Sequence, residues 1–170
     1  MMIKDIQFEG VPDSVALTKT INGQLNPRIS MQPGEFQFWR MGNIGANAFA
    51  NLKLDGHTFW IFAQDGNILE QPLETETLFL PPSSRMCVMV KASAQKGDYT
   101  LRSLEVNRGP AGNPNPEVVL ATLHVDGNPV PDNGSTARLA EEANNVKTIY
   151  PTHDDVEKMP ITRNRTIVFT

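Results

Sequence analysis

The sequence predicts an all-β fold, an antiparallel sandwich or barrel, on two observations. Turn dipeptides recur along the chain at Asn22-Gly23, Asp55-Gly56, Asp65-Gly66, Asp126-Gly127 and Asn133-Gly134. Asp and Asn tolerate left-handed dihedrals and Gly adopts them freely, so such pairs close tight hairpins. Between and beyond these turns lie short runs rich in β-branched and aromatic residues, with almost no helical periodicity. Twelve glycines and thirteen prolines punctuate the 170 residues at fairly regular intervals.

In chain order the strand-length runs are Phe36–Met41, Ala48–Leu54, His57–Gln64, Thr75–Leu80, Arg85–Lys91, Tyr99–Leu104 and Val118–Val125. The first holds two phenylalanines and a tryptophan, and the third, His57-Thr58-Phe59-Trp60-Ile61-Phe62-Ala63-Gln64, is bounded on both sides by Asp-Gly. Asn107 to Pro116 carries three prolines and two glycines in ten residues, so it is expected as an irregular crossing loop. Ser135 to Lys147 places Leu139, Ala143 and Val146 at i, i+4 and i+7 behind a Ser/Thr cap, which predicts one short helix near the C-terminus. Tyr150-Pro151 and Met159-Pro160 then frame a polar linker, and Arg165–Thr170 has the composition of a further strand.

Composition bounds the function. Hydrophobic residues make up 39% and charged residues 20%, enough apolar material for one core and unlike a disordered chain, a collagen or a coiled coil. No apolar run approaches the roughly 20 residues of a bilayer-spanning helix. Fifteen Lys and Arg against nineteen Asp and Glu give a net charge of −4 without a basic cluster, which argues against a nucleic-acid partner. The start, Met1-Met2-Ile3-Lys4-Asp5, lacks the apolar core of a signal peptide, so the chain is either cytoplasmic or has lost a leader.

Alternation within the strands carries more information. Phe59, Ile61 and Ala63 fall on one face of their run and Trp60 and Phe62 on the other. Arg85–Lys91 repeats this with Met86, Val88 and Val90 against Cys87 and Met89. Strands apolar on both faces need a second cover, since soluble monomers seldom expose large apolar patches. Loops or the predicted helix could supply it, or a neighbouring domain or subunit.

A β-sandwich is a common host for copper, which makes copper the first site to test. A blue-copper centre needs two His and one Cys, usually with a weak axial Met. Histidine occurs only at His57, His124 and His153, and the single cysteine, Cys87, is followed by Val88-Met89-Val90-Lys91 with no nearby imidazole. Multinuclear sites use His-x-His pairs, and none exists. Cys87 therefore reads as an interior thiol, His57 as a cap on the Asp-Gly turn, His124 as a residue at the sheet rim, and His153 with Asp154 and Asp155 as solvated linker. There is no Gly-x-Ser-x-Gly elbow, phosphate loop or dinucleotide fingerprint. Glu70, Glu74 and Glu76 around Pro72 read as solubilising carboxylates. No catalytic, cofactor-binding or metal residue is assigned from the residues themselves.

The order of the segments resembles a known family. Thr20-Ile21-Asn22-Gly23-Gln24 with Pro27, then Met31-Gln32-Pro33-Gly34-Glu35, Phe38-Trp39-Arg40 and Asn43, are similar to the opening of the middle domain of multicopper oxidases. Leu52-Lys53-Leu54-Asp55-Gly56-His57 and Ala63-Gln64-Asp65-Gly66 resemble that family's Asp-Gly-His and Asp-Gly pair. Leu80-Pro81-Pro82-Ser83-Ser84-Arg85 stands where the family usually has Pro-Gly-x-Arg, and Gly97-Asp98-Tyr99-Thr100-Leu101-Arg102 matches its closing strand.

The resemblance implies a Greek-key sandwich of cupredoxin type over residues 1–130. It makes residues 131–170 the short helix and linker into the first strand of a following domain absent from this chain. It also implies a laccase-like parent that oxidises phenols, amines or metal ions and reduces dioxygen to water. Copper is then implied for the parent but not for this domain, whose partners would be the flanking cupredoxin domains or another copy of itself. The parent class is usually exported, which makes a periplasmic or secreted protein the expectation. Counting back from His57, Asn47 takes the place of the acidic or amide residue that faces the reducing substrate in several laccases. As a residue after Gly45-Ala46 it suits a plain turn better. A copper-free scaffold or interaction module is the alternative reading of the whole.

Overall fold

The computed structural model describes residues 1–6, 10–12, 15–110, 112–131, 155 and 157–168. Among them the chain forms eleven strands: β1 (Met2–Ile6), β2 (Thr18–Ile21), β3 (Arg28–Met31), β4 (Phe36–Asn43), β5 (Ala50–Leu54), β6 (Phe59–Gln64), β7 (Asn67–Thr75), β8 (Thr77–Leu80), β9 (Arg85–Lys91), β10 (Gly97–Leu104) and β11 (Val118–Val125). Two sheets face each other, one ordered β2-β1-β4-β9-β6-β7 and the other β3-β11-β10-β5-β8. All neighbouring pairs are antiparallel except β1 with β4 and β3 with β11. This is a Greek-key sandwich of cupredoxin type. The expected helix at Ser135–Lys147 lies outside the described residues. Of the run Arg165–Thr170, the described part is exposed and belongs to neither sheet.

The sequence runs for β4, β6, β9, β10 and β11 coincide closely with strands. The run at Thr75–Leu80 instead holds the end of β7 and all of β8. β7 carries Glu70 and Glu74, so these carboxylates stand on an edge strand. Pro72 lacks an N–H to donate and is tolerated there because an edge strand leaves one side unpaired. Asp65 and Gly66 both have positive φ, 52° and 94°, the geometry of a two-residue hairpin turn joining β6 to β7.

The core lies between the sheets. Phe59, Leu52, Leu54, Leu78, Leu80, Val88, Val90, Leu101 and Leu123 are wholly enclosed. One sheet supplies Phe59, Ile61, Trp39, Met41 and the even-numbered residues of β9; the other supplies the leucines of β5, β8, β10 and β11. Strict alternation fails at two places among the described residues. The ladder shifts between Ile61 and Ala63, so Ala63 pairs with Cys87 rather than following Ile61 into the core. A β-bulge at Phe62 inserts one residue and exchanges the faces beyond it. A second irregularity at Leu101/Arg102 lets Leu120 and Ala121 both be buried on β11.

Trp60 and Phe62 do lie outside the core, half-buried, on the outer face of the six-stranded sheet. Phe38 stands beside Phe62, ring centroids 6.2 Å apart, and is 54% exposed. Met89, in register with both Phe38 and Trp60, is buried beneath this aromatic strip. The strip covers its own floor and leaves its crest open.

Asn43 joins the two sheets at one end. Its Nδ2 donates to the carbonyls of Ala48 (2.8 Å) and Leu80 (2.9 Å), and its Oδ1 accepts from Gly45 N (3.0 Å). Its backbone bonds the β8–β9 connection through Ser83 N and Ser84 O. Replacing Asn43 with Ala strands these buried partners and should cost about 2–5 kcal/mol, read as a lowered urea midpoint.

Lys19 is buried where β2 approaches the opposite sheet, its Nζ donating to Ser103 Oγ at 2.9 Å. Burial lowers its pKa to about 8, against a smaller opposing pull from Asp5, its register partner on β1. The unfolded chain keeps this proton up to about pH 10.5 and the folded chain releases it near pH 8. Stability should therefore rise with pH between those values. Urea unfolding of wild type and Lys19→Met should show this rise only in the wild type.

Candidate functional site

The loop between β4 and β5 contains Asn47 and is held from below by one carboxylate. Asp5, near the end of β1, accepts from the N–H groups of Ala46 (3.1 Å), Asn47 (3.2 Å) and Ala48 (3.0 Å). Three convergent amides suit an ionised carboxylate. The fit depends on Gly45, where an added Cβ would stand 2.3 Å from Asp5 Oδ1.

From the side, the same loop meets the crossing segment between β10 and β11. Arg108 Nη2 donates to Asn47 Oδ1 at 3.0 Å. The Arg108 guanidinium lies 5.2 Å from the centroid of Phe49, and Phe49 stacks on Phe79 at 5.8 Å and 18°. Val106 N bonds Asn115 O at 3.0 Å and closes the base of the segment. Asn115 is buried, with no hydrogen-bond partner for its Nδ2 among the described residues. Asn47, Phe49 and Arg108 are half-buried, and Phe79 is 46% exposed.

The other sequence candidates are occupied elsewhere. His57 is buried, with Nδ1 2.7 Å from Asp55 O and Nε2 accepting from Ser93 N at 3.1 Å. Tyr99 meets the imidazole edge-on at 4.7 Å. Nδ1 thus caps the Asp55-Gly56 turn, as expected, and Nε2 ties that turn to the β9–β10 connection. His124 Nδ1 sits 2.6 Å from Asp98 Oδ1 on the outer face of the five-stranded sheet, where Arg28 also reaches Asp98 at 3.4 Å. Ser30 is in register with His124, so serine, histidine and aspartate stand side by side on three adjacent strands. Among the described residues no hydrogen bond joins Ser30 to the imidazole. Cys87 is half-buried on β9, and Glu76 reaches Lys53 at 3.9 Å. His153 lies outside the described residues.

Asp5, Arg108, Phe49 and Phe79 were not singled out by the sequence. Arg108 lies 61 positions from Asn47 in a segment legible only as a loop.

The sequence model of the Cu-oxidase family, described as multicopper oxidase, matches residues 4–128. The chain belongs to the multicopper oxidase family. It is 31% identical over 105 residues to Laccase-1 of Emericella nidulans, covering 60% of this chain and 17% of that protein. It is 37% identical over 94 residues to Multicopper oxidase MCE of Talaromyces pinophilus, covering 54% and 15%. Among solved structures it resembles a multicopper oxidase from Campylobacter jejuni described as a metallo-oxidase, with TM-score 0.62 and 26% identity over 76% of this chain and 30% of that one. A laccase from Botrytis aclada shares the fold at TM-score 0.58 and 22% identity, over 76% and 29%. The chain thus spans a fifth or less of these curated relatives and about three tenths of these structures.

Family membership implies copper, so the donor set must be tested against it. Neither nitrogen of His57 has a lone pair left for a metal once Nδ1–H donates and Nε2 accepts. Among the described residues no group of three or more His, Cys, Asp or Glu side chains is placed to hold a metal ion. The described residues do not fit a copper site.

The Asp5 cradle makes a direct prediction. Gly45→Ala should displace the carboxylate, cost about 1–3 kcal/mol by overpacking, and speed amide hydrogen exchange at Ala46, Asn47 and Ala48.

Proposed function

We propose that this chain is the copper-free middle domain of a three-domain, laccase-like multicopper oxidase. Residues 1–130 form the cupredoxin sandwich, and residues 131–170 lead into the first strand of the next domain. The parent would take electrons singly from a phenol, an amine or a metal ion and reduce dioxygen to water. Copper supplies that redox chemistry in the parent; this domain supplies shape and contacts. The observation that carries the reading is the use made of His57, whose two nitrogens hold the Asp55-Gly56 turn against Ser93. An imidazole spent in this way stabilises the fold and leaves no ligand.

The match to about three tenths of larger oxidase chains supports a single domain of a multidomain protein. Neighbouring domains of the same enzyme account for the open aromatic crest at Phe38, Trp60 and Phe62, since burying an aromatic side chain is worth roughly 1.5–3 kcal/mol. Asn47, on a loop pinned by Asp5 and Arg108, is the residue we place in the wall of the substrate pocket. Its amide can hydrogen-bond a phenol but cannot take the phenolic proton as a carboxylate would.

Copper loading of the isolated chain followed by metal analysis tests the reading. Far less than one copper per chain, no strong thiolate-to-copper absorption and no oxidase activity are expected. One tightly held ion per chain with that absorption would overturn it.

A further inference from the structure

The contacts of Asn47 fix which end of its amide faces outward. Arginine has only donors, so the atom that meets Arg108 Nη2 at 3.0 Å must be the amide oxygen. The NH2 group is then directed away from the guanidinium, and no acceptor among the described residues engages it. The position is a hydrogen-bond donor by geometry, although an asparagine in general is both donor and acceptor.

Arg108 is held in place from three sides. Its guanidinium lies over Phe49, within the range of a cation–π contact. The crossing segment folds back so closely that a Cβ on Gly112 would stand 2.4 Å from Arg108 Cβ. Gly109 N bonds Asn107 Oδ1 at 2.8 Å and Gly112 N bonds Gly109 O at 3.2 Å, which shapes the turn around it. No carboxylate among the described residues pairs with Arg108. The nearby Asp5 carboxylate is already taken by three backbone amides beneath the loop. Beside this half-buried cation and outward donor lies Phe79, which stacks on Phe49 and is 46% exposed.

We propose that Arg108 is a positioning residue that turns Asn47 into an outward hydrogen-bond donor. Together with Phe49 and Phe79 they form a site for an aromatic ligand carrying an anionic oxygen, a carboxylate or a phenolate. The ring packs on Phe79, and the oxygen accepts from Asn47 Nδ2 in the field of the guanidinium. An N–H donor next to a guanidinium offers no lone pair to a metal cation or a protonated amine, so of the three substrate classes open to the parent oxidase this patch selects anionic phenols. Binding follows from the chain's own geometry; relevance to oxidation rests on the placement of Asn47 in the pocket wall.

The 170-residue chain, isotopically labelled, can be titrated by NMR with 4-hydroxybenzoate and with its uncharged analogue 4-hydroxybenzyl alcohol. Benzoate shifts should map to Asn47, Phe49, Phe79 and Arg108, with a Kd about tenfold below that of the alcohol. Arg108→Gln should bring the ratio of the two Kd values close to one. Asn47→Asp, which keeps an acceptor for Arg108 but replaces the outward donor with a second oxygen, should weaken benzoate about tenfold and leave the alcohol within about twofold. If Arg108→Gln fails to fold, the Asn47→Asp ratio decides alone. A ratio unchanged by these variants, shifts mapping elsewhere, or no shifts up to about 10 mM ligand would overturn the proposal. In the full-length oxidase, Arg108→Gln should lower kcat/KM for the benzoate more than for the alcohol. Loss of the binding ratio in the chain with no such change in turnover would support the ligand site and remove Asn47 from the substrate pocket.

Discussion

The side chain of Asn43 is the constraint on which this end of the molecule depends. It belongs to β4 in one sheet, yet it bonds the carbonyl of Leu80 at the end of β8 in the other and the carbonyl of Ala48 just before β5. Two sheets packed only by apolar contact can slide, because apolar attraction has no preferred direction. A buried amide with three short hydrogen bonds does have one. It fixes where β4 stops, where β5 begins and how the β8–β9 connection closes over them. It leaves none of its own polar atoms unpaired, which is the condition under which a buried polar group specifies structure rather than weakening it.

Polar order spreads outward from that point. Gly45 bonds Asn43, the next three amides bond Asp5, and the Asn47 side chain meets Arg108. The β4–β5 loop is thus tied to β1, β4 and the β10–β11 crossing. Its conformation is set before any ligand arrives, which lowers the ordering cost of binding. Lys19 adds tension nearby. Its buried ammonium is partly compensated by Ser103 and Asp5, and its lowered pKa records what remains uncompensated. Asp5 therefore serves two clients, the loop amides by direct bonds and the lysine by its field.

The two outer faces differ in chemistry. On the five-stranded sheet His124, Asp98 and Arg28 pair across neighbouring strands, on the same sheet as the exposed Val119 and Phe79. The six-stranded sheet presents Phe38, Trp60 and Phe62 over Met89, and the bulge at Phe62 brings Ala63 level with Cys87.

Much of the fold was legible in the chain because its signals are local. An Asp-Gly turn closes a hairpin through its own dihedrals, and an alternating apolar run declares a strand by period, so β4, β6, β9, β10 and β11 stood in plain view. Turn chemistry also revealed the place of His57, since the residue after Asp-Gly lies within reach of the turn carbonyl. Shorter or more polar strands escaped: β1, β2 and β3 hold four or five residues each, and β7 carries charges and a proline that suit only an edge. The bulge at Phe62 escaped as well, because an inserted residue is visible only against the partner strand. The candidate site divides in the same way. Asn47 was found by its distance from the Asp-Gly-His motif, a relation along the chain. Arg108 meets it across 61 positions, and Phe79 meets the neighbouring Phe49 from a different strand, and nothing local in either marks the contact. The sequence by itself determined that this chain is a β-sandwich of the multicopper oxidase family. Only the tertiary structure decided that Asn43 ties one sheet to the other and that Arg108 meets the amide of Asn47, because hydrogen-bond partners are chosen by space and not by order.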